Sequence, residues 1–345
     1  MGKKLVNPNK LCMGCMRELD TPAEVCPYCR FSIRQYQRPK NSLPPYEILN
    51  GKYLVGRVLG AGGFGITYIG WDFYQSKKVC IKEYFPRLIA TRNPSASTYT
   101  EQISVSVFYS GSHSSTQTVN PAKVQEAYRK GMEAYIKEAK TLSKFYLMPG
   151  IVSVKDFFYG NRTAYIVMEY IDGLDMKKYA AAKGGRLSPG ETFYLLKNVL
   201  KALNEVHKMN IIHRDISPDN IMVTRDMQAK LIDFGATQNY VSSKDNSVLL
   251  KQGYAPPEQY SRDGNQGPWS DVYSICATMY YLMTGIRIPT AKERQQQDTV
   301  QPLQVMGVPV TEAQDAAIMK GLRLKISERF QNVNSFYKDL FLEEI

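Results

Sequence analysis

The sequence predicts an α+β protein with a small β-rich lobe, a larger and mainly helical lobe, and a short cysteine module in front. Three observations predict it. Four cysteines crowd between positions 12 and 29, a glycine-punctuated stretch of alternating apolar residues follows between Tyr53 and Asp72, and from Ala127 onward apolar residues recur mostly at helical spacing. At 345 residues, 43% hydrophobic and 22% charged, the chain has room for one large two-lobed domain plus a small module. The net charge of +12 suits nucleic acid, an anionic membrane or an acidic substrate, and a surface rich in lysine accounts for it equally.

In order along the chain, "MGKKLVNPNK" lacks the apolar core of a secretory signal and does not match a myristoylation signal. The longest apolar run, Val272–Met283, falls short of the roughly 20 residues that span a bilayer. The expected location is therefore the cytoplasm, with a membrane anchor beyond Ile345 in a longer chain left open. "CMGC" and "CPYC" supply Cys12, Cys15, Cys26 and Cys29, and two C-x2-C turns can wrap four thiolates around one tetrahedral Zn²⁺. So short a segment needs such a staple to fold. Residues 1–34 resemble a zinc ribbon, whose partner is a protein, a nucleic acid or the rest of the chain. The proline-containing "QRPKNSLPPYEILNG" reads as a linker over 35–50.

"YLVGRVLGAGGFGITYIGWD" reads as two strands of a hairpin joined through Gly60, Gly62, Gly63 and Gly65, glycines that let backbone amides approach phosphates closely. No helix pattern follows. A strand does, ending in "VCIK" with Lys82 seventeen positions beyond Gly65. Between 127 and 145, Tyr135, Ile136, Ala139, Leu142 and Phe145 recur at helical spacing with Glu138 beside the stripe and Glu133 as its competitor. Residues 87–122 form a Ser/Thr/Tyr-rich insertion in which "ISVSVFY" alternates like a strand. It reads as a docking surface, an autophosphorylation tract or a solvated insertion.

Further on, Ser188, Pro189 and Glu191 mark a helix start, and "IIHRDISPDNIM" and "DFG" follow in order. Together the glycine loop, the lysine, the helix glutamate, H-R-D…N and D-F-G resemble the protein-kinase family. "GGFGITY" and "IKEYFP" resemble the bacterial eukaryotic-type (Hanks-type) serine/threonine kinases. The resemblance covers residues about 50 to 340 and implies the protein-kinase fold, with a domain expected over 51–345 that divides into a small lobe over 51–170 and a large lobe over 171–345. It implies that Lys82 binds the α and β phosphates and pairs with Glu138, that Asp215 orients the substrate hydroxyl, and that Asn220 and Asp233 hold Mg²⁺ (or Mn²⁺). The nucleotide would meet Gly60, Gly62, Gly63, Gly65, Thr67, Cys80, Met168, Glu169, Ile171 and Met222, Cys80 being alternatively an inert buried residue. Asp271 would steady the catalytic loop, and Arg329 would pair with Glu258 after the A-P-E-like "GYAPPEQY".

One departure stands out. Where the family carries a lysine, this loop has Ser217, and where serine/threonine kinases carry a threonine, seven positions before Glu258, this chain has Lys251. The pair of departures suggests a swap in which Lys251 supplies the missing cation. Arg214 suggests control by phosphorylation, with Ser242, Ser243 and Ser247 as candidate sites. The expected function is ATP-dependent phosphorylation of protein serine or threonine hydroxyls, with autophosphorylation. An ATP-binding pseudokinase scaffold or signalling adaptor is the alternative.

Overall fold

The computed structural model describes residues 7–21, 23–63, 65–93, 103–106, 121–234, 250–261 and 264–345. These divide into two compact units, the first holding the chain up to Tyr146 with Ser153–Tyr170, the second holding Leu147–Val152 and the chain from Ile171 on. The candidate phosphosites Ser242, Ser243 and Ser247 lie outside the described residues.

The first unit contains strands β1 (Ile48–Leu49), β2 (Tyr53–Ala61), β3 (Gly65–Asp72), β4 (Lys77–Tyr84), β5 (Ala90–Arg92) and β6 (Ile103–Val105), helix α1 (Pro121–Leu142), then β7 (Val154–Gly160) and β8 (Thr163–Glu169). Six of the strands form one antiparallel sheet in the order β1-β2-β3-β4-β8-β7, and β5 pairs with β6 inside the insertion. Helix α1 buries Val124, Tyr128, Gly131, Tyr135, Ala139 and Leu142, a stripe at three- and four-residue spacing that needs a partner surface to be stable. It begins at Pro121, six positions before the expected start, because a proline costs nothing in the first turn, and it tightens into a 3₁₀ turn at Ser143–Phe145.

The cysteine segment is folded onto this sheet. Leu11, Met13 and Met16 share a buried cluster with Leu54 of β2 and Ile69 of β3, and Phe31, Trp71, Phe73 and Tyr170 pack around it. The Arg57 amide donates to the Met13 carbonyl at 2.8 Å, the Arg57 Nε to the Gly14 carbonyl at 2.9 Å, and the Val58 amide to the Tyr36 hydroxyl at 2.9 Å. Gly56 is what permits the approach, since a Cβ there would stand 2.3 Å from the Met16 Cε and 2.6 Å from the Met13 oxygen. The proline-containing stretch is also held. Ser42 and Leu43 are buried, and the Leu43 amide donates to the Tyr68 hydroxyl at 2.9 Å.

That hydroxyl belongs to a buried polar network. Tyr68 donates to Glu83 at 2.7 Å, Tyr165 donates to Glu83 at 3.1 Å, and Arg92 forms an ion pair with Glu83 while its amide donates to Asn41 at 3.0 Å. A buried carboxylate is tolerable only when several donors replace its water, and here they come from β3, β5 and β8, while the segment before β1 braces Arg92 and Tyr68.

The second unit contains β9 (Gly173–Asp175), α2 (Met176–Ala182), α3 (Pro189–Lys208), β10 (Ile221–Thr224), β11 (Ala229–Leu231), α4 (Pro268–Thr284), α5 (Ala291–Gln296), α6 (Glu312–Gly321) and α7 (Val333–Phe341). Ser188 caps α3 as its sequence implies, accepting from the Glu191 amide at 3.2 Å, with Pro189 in the first turn. Helix α4 is buried on nearly every face, which is why the longest apolar run of the chain is a core helix. No helix among the described residues is long and apolar enough to cross a membrane. The small β-rich unit and the mainly helical one are the α+β division that the sequence predicts.

Candidate active site and metal centre

In the first unit the register of the sheet lines up the candidate nucleotide residues. Thr67 is opposite Lys82, Lys82 opposite Ile166, and Cys80 opposite both Ile69 and Met168. Directly paired residues share a face and side chains alternate, so Thr67, Lys82, Cys80 and Met168 lie on one face, while Tyr68, Glu83 and Tyr165 lie on the other. Between β2 and β3 the Gly62 amide donates to the Gly65 carbonyl at 2.9 Å, and the Cα positions of Gly60 and Gly62 have open space beside them. Gly65 is sterically required, because a Cβ there would stand 2.6 Å from the Glu83 carbonyl. Met168 and Glu169 end β8, and Ile171 opens the second unit.

Helix α1 crosses β4 at the candidate lysine, where the Tyr135 hydroxyl donates to the Lys82 carbonyl at 3.1 Å. Glu138 lies three residues on along the same helix face and has a buried carboxylate oxygen. Glu133 instead pairs with Arg129 at 2.6 Å on the surface, about half exposed.

In the second unit the catalytic-loop candidates are held by α4. The buried Asp271 carboxylate accepts the His213 and Arg214 amides, each at 2.8 Å, and lies 2.8 Å from the His207 Nε2. Burial alone would raise its pKa, but the His207 hydrogen bond and the charges of His207 and His213, with the His213 amide, hold it below the usual aspartate value. Arg214 takes a left-handed backbone (φ 67°), and its carbonyl accepts from the Gln259 side chain at 2.8 Å. The Asn220 side-chain amide donates to the Asp215 carbonyl at 2.7 Å and to its carboxylate at 2.8 Å. The Ile232 amide donates to the Asn220 carbonyl at 2.9 Å, which brings Asp233, itself left-handed at φ 57°, to the turn beside Asn220. Met222 follows on β10, paired with Lys230 and Asp175.

Lys251 reaches into the same loop. Its Nζ donates to the Ser217 Oγ at 2.7 Å and stands 3.6 Å from the Asp215 Oδ1. Ser217 is fully buried, and the two departures seen in the sequence meet as neighbours. Below them Arg329 grips Glu258 through two bonds of 2.9 and 2.7 Å, with Ser270 donating to the same carboxylate at 2.7 Å.

Sequence reasoning passed over His213 and Gln259, whose partners are distant in the chain. The His213 Nε2 faces the Ile232 carbonyl at 2.9 Å and so carries the proton, while Nδ1 accepts the Asp215 amide at 3.3 Å. Full burial pushes this imidazole down to about 4, against the upward pull of Asp271. Because its ordinary value is about 6.5, the unfolded chain takes up the proton first as pH falls, and stability present above pH 6.5 is lost toward pH 4. Between pH 7.5 and 5 this group should remove about 2 kcal/mol of folding stability. Denaturant midpoints at the two pH values should differ clearly less in His213→Asn than in the wild type; identical shifts would exclude His213 as the origin.

The four cysteines form the second centre. All four Sγ atoms lie within 4.8 Å of one another, with Cys12 to Cys29 at 3.7 Å and Cys15 to Cys26 at 3.9 Å. Those spacings match the edge of a tetrahedron of zinc–sulfur bonds, about 3.8 Å for bonds of about 2.3 Å, and are far beyond a disulfide. The Gly14 amide donates to the Cys12 sulfur at 3.3 Å. Burial pushes the Cys12 and Cys15 thiols up; at Cys26 the same effect is outweighed by the Cys29 and Tyr28 amides and the neighbouring cysteines, down to about 7. Two thiols that resist ionisation alone fit a site whose thiolates form against a cation.

A β-rich unit with a glycine loop and strand lysine, together with a helical unit that presents Asp215 and Asn220 on a loop anchored by α4 and Asp233 just after β11, defines the protein-kinase class. The protein kinase domain model matches residues 104–335, and the chain belongs to that family. It is 31% identical over 256 residues to serine/threonine-protein kinase F of Synechocystis sp., a match covering 69% of this chain and 45% of that protein. It is 29% identical over 244 residues to serine/threonine-protein kinase PrkC of Bacillus subtilis, covering 70% of this chain and 31% of that protein. The chain thus spans less than half the length of these relatives. The apo structure of PpkA-294 superposes with a TM-score of 0.71 at 29% identity, over 87% of this chain and 99% of that one. A kinase domain works with ATP and a divalent metal.

Proposed function

We propose that the chain transfers the γ-phosphoryl group of ATP to serine or threonine hydroxyls of proteins, itself included, with Lys251 in the role of the absent catalytic-loop lysine. The observation that carries the reading is the Lys251 ammonium between Ser217 and Asp215, at 2.7 and 3.6 Å. Asp215, oriented by Asn220, accepts the hydrogen bond of the acceptor hydroxyl and takes its proton as the hydroxyl oxygen bonds to the γ phosphorus and the bond from that phosphorus to the β–γ bridging oxygen breaks, releasing ADP. Lys251 holds a positive charge where negative charge gathers on the phosphoryl oxygens. Lys82, with Glu138 as its partner, positions the α and β phosphates, and Thr67, Cys80 and Met168 line the base. Asn220 and Asp233 are hard oxygen donors of the kind Mg²⁺ takes, and the metal, when bound, neutralises the β- and γ-phosphate charge.

We infer further that Cys12, Cys15, Cys26 and Cys29 hold a structural Zn²⁺. The nearby arginines are mostly engaged locally: Arg17 lies 4.9 Å over the Tyr28 ring, Arg34 pairs with Glu24, and Arg38 donates to the Ser42 carbonyl. This supports a role within the chain over nucleic-acid contact.

The test is incorporation of labelled phosphate from ATP and Mg²⁺ into the protein and a generic protein substrate. Asp233→Ala should lower incorporation at least about a hundredfold, as removal of one charge-stabilising group does. No incorporation by the wild type despite measured ATP binding would replace the enzyme with a scaffold.

A further inference from the structure

Beside the catalytic loop, wholly within the second unit, lies a groove of about 540 Å³. Its walls include Tyr254 and Tyr281, whose rings meet edge-on at 6.3 Å, and its charged lining consists of Lys177, Lys251, Arg287 and Asp219. Three cations therefore face one carboxylate. Lys177 lies 3.6 Å from Asp219, and Lys251 is turned toward Asp215 at 3.6 Å. Arg287 makes no ion pair with any described residue; Glu293, the carboxylate that feels its charge, is engaged at the cap of α5 by Thr290 at 2.7 Å.

Arg287 is nevertheless held in place. Helix α4 ends at Gly285, left-handed at φ 73°, and the turn that follows packs on Gly253, also left-handed at φ 81°. A Cβ on Gly253 would stand 2.6 Å from the Arg287 Cγ. The arginine stem thus lies against the segment that carries Lys251, two residues before Gly253, which ties its position to the phosphoryl-transfer centre. A guanidinium with no ion pair among the described residues, held at the rim of a groove with aromatic walls, suits a planar or tetrahedral oxyanion.

We propose that Arg287 selects substrates that carry an anionic side chain, a carboxylate or a phosphate, near the acceptor hydroxyl, with the groove taking the flanking residues. This rests on the kinase reading above and adds the substrate class to it.

The test reads binding rather than transfer. Fluorescein-labelled peptides of one sequence, with alanine at the acceptor position and glutamate, phosphoserine, glutamine or lysine beside it, are titrated with wild type and Arg287→Glu. The wild type should bind the glutamate and phosphoserine peptides about tenfold more tightly than the glutamine peptide, as a charge-assisted pair allows. Phosphoserine well ahead of glutamate would identify phosphate as the natural anion, and equality would identify any carboxylate or phosphate. Arg287→Glu, at an exposed position and checked by its melting curve, should lose the preference and favour lysine. Equal binding of all four peptides by the wild type, or an unchanged preference in Arg287→Glu, overturns the proposal. Charge-dependent binding of these peptides, together with no incorporation in the labelled-ATP assay, would count against the kinase reading alone.

Discussion

Lys251→Thr should slow phosphoryl transfer by two to three orders of magnitude and leave the melting temperature nearly unchanged. A preorganised positive donor at the developing charge is worth about 3–4 kcal/mol, a factor of hundreds in rate. Lys251 is about 30% exposed, so its contribution to folding is that of a half-solvated charge pair, about 1 kcal/mol or less. The double mutant discriminates the swap from a general loss. Removing the Lys251 side chain vacates the space next to the Ser217 Oγ, 2.7 Å from the ammonium, so that a lysine introduced at 217 can extend into it. Ser217→Lys alone should be slow, because two ammonium groups would compete for one site and one of them would be forced into the buried position of Ser217. Combined with Lys251→Thr it should recover much of the lost rate. Single-turnover transfer rates for the four proteins decide it; losses that simply add would show that the two positions act independently.

On the proposal that the four cysteines hold Zn²⁺, removing the metal, or Cys12→Ser, should loosen strand β2 and weaken nucleotide binding. Structural zinc in modules of this size contributes roughly 10 kcal/mol or more to their folding, so the metal-free module does not hold its shape. The consequence spreads because the module is packed on the sheet. Met16 is 1% exposed against Leu54 and Ile69, both equally buried, and Ile69 is the cross-strand partner of Cys80 on the candidate nucleotide face. The amides of Arg57 and Val58, bonded to Met13 and to Tyr36, lie where β2 breaks register on its way to the glycine loop. Chelation should accelerate hydrogen exchange at these two amides by at least about a hundredfold, the loss of roughly 3 kcal/mol of local protection. It should raise the dissociation constant of a fluorescent ATP analogue about tenfold or more. Unchanged exchange and affinity after measured zinc loss would make the module an independent appendage.

The fold and site were unequally legible. Elements whose periodicity is local were readable: the α3 stripe with its Ser188 cap, the alternation of β4, and the strand–glycine–strand pattern around Gly60 to Gly65. The start of α1 was missed because its first turn, Pro121 to Lys123, is exposed and adds no apolar signal. The network of Glu83, Arg92, Tyr68 and Tyr165 carried no signal at all. Its members are ordinary polar residues in sequence; the register of the six-stranded sheet brings Tyr68, Glu83 and Tyr165 onto one face, and Arg92 meets them from the separate β5–β6 pair.

By itself the sequence determined the inventory of chemistry: four thiols at metal-binding spacing, the loop glycines, Lys82, Asp215, Asn220, Asp233, and the paired departures at Ser217 and Lys251. The thiols and glycines are legible from residue type and short spacing, whereas the other residues stand out through the resemblance to the kinase family. Only the tertiary structure decided which of them meet. It set Lys251 against Ser217, 34 positions away, held the loop of His213 and Arg214 on Asp271, laid the cysteine module on β2 and β3, and left Arg287 without an ion pair among the described residues at the rim of a groove. Such meetings depend on how helices and strands pack after the chain has closed on itself, and no local pattern encodes the distance between two side chains on different elements.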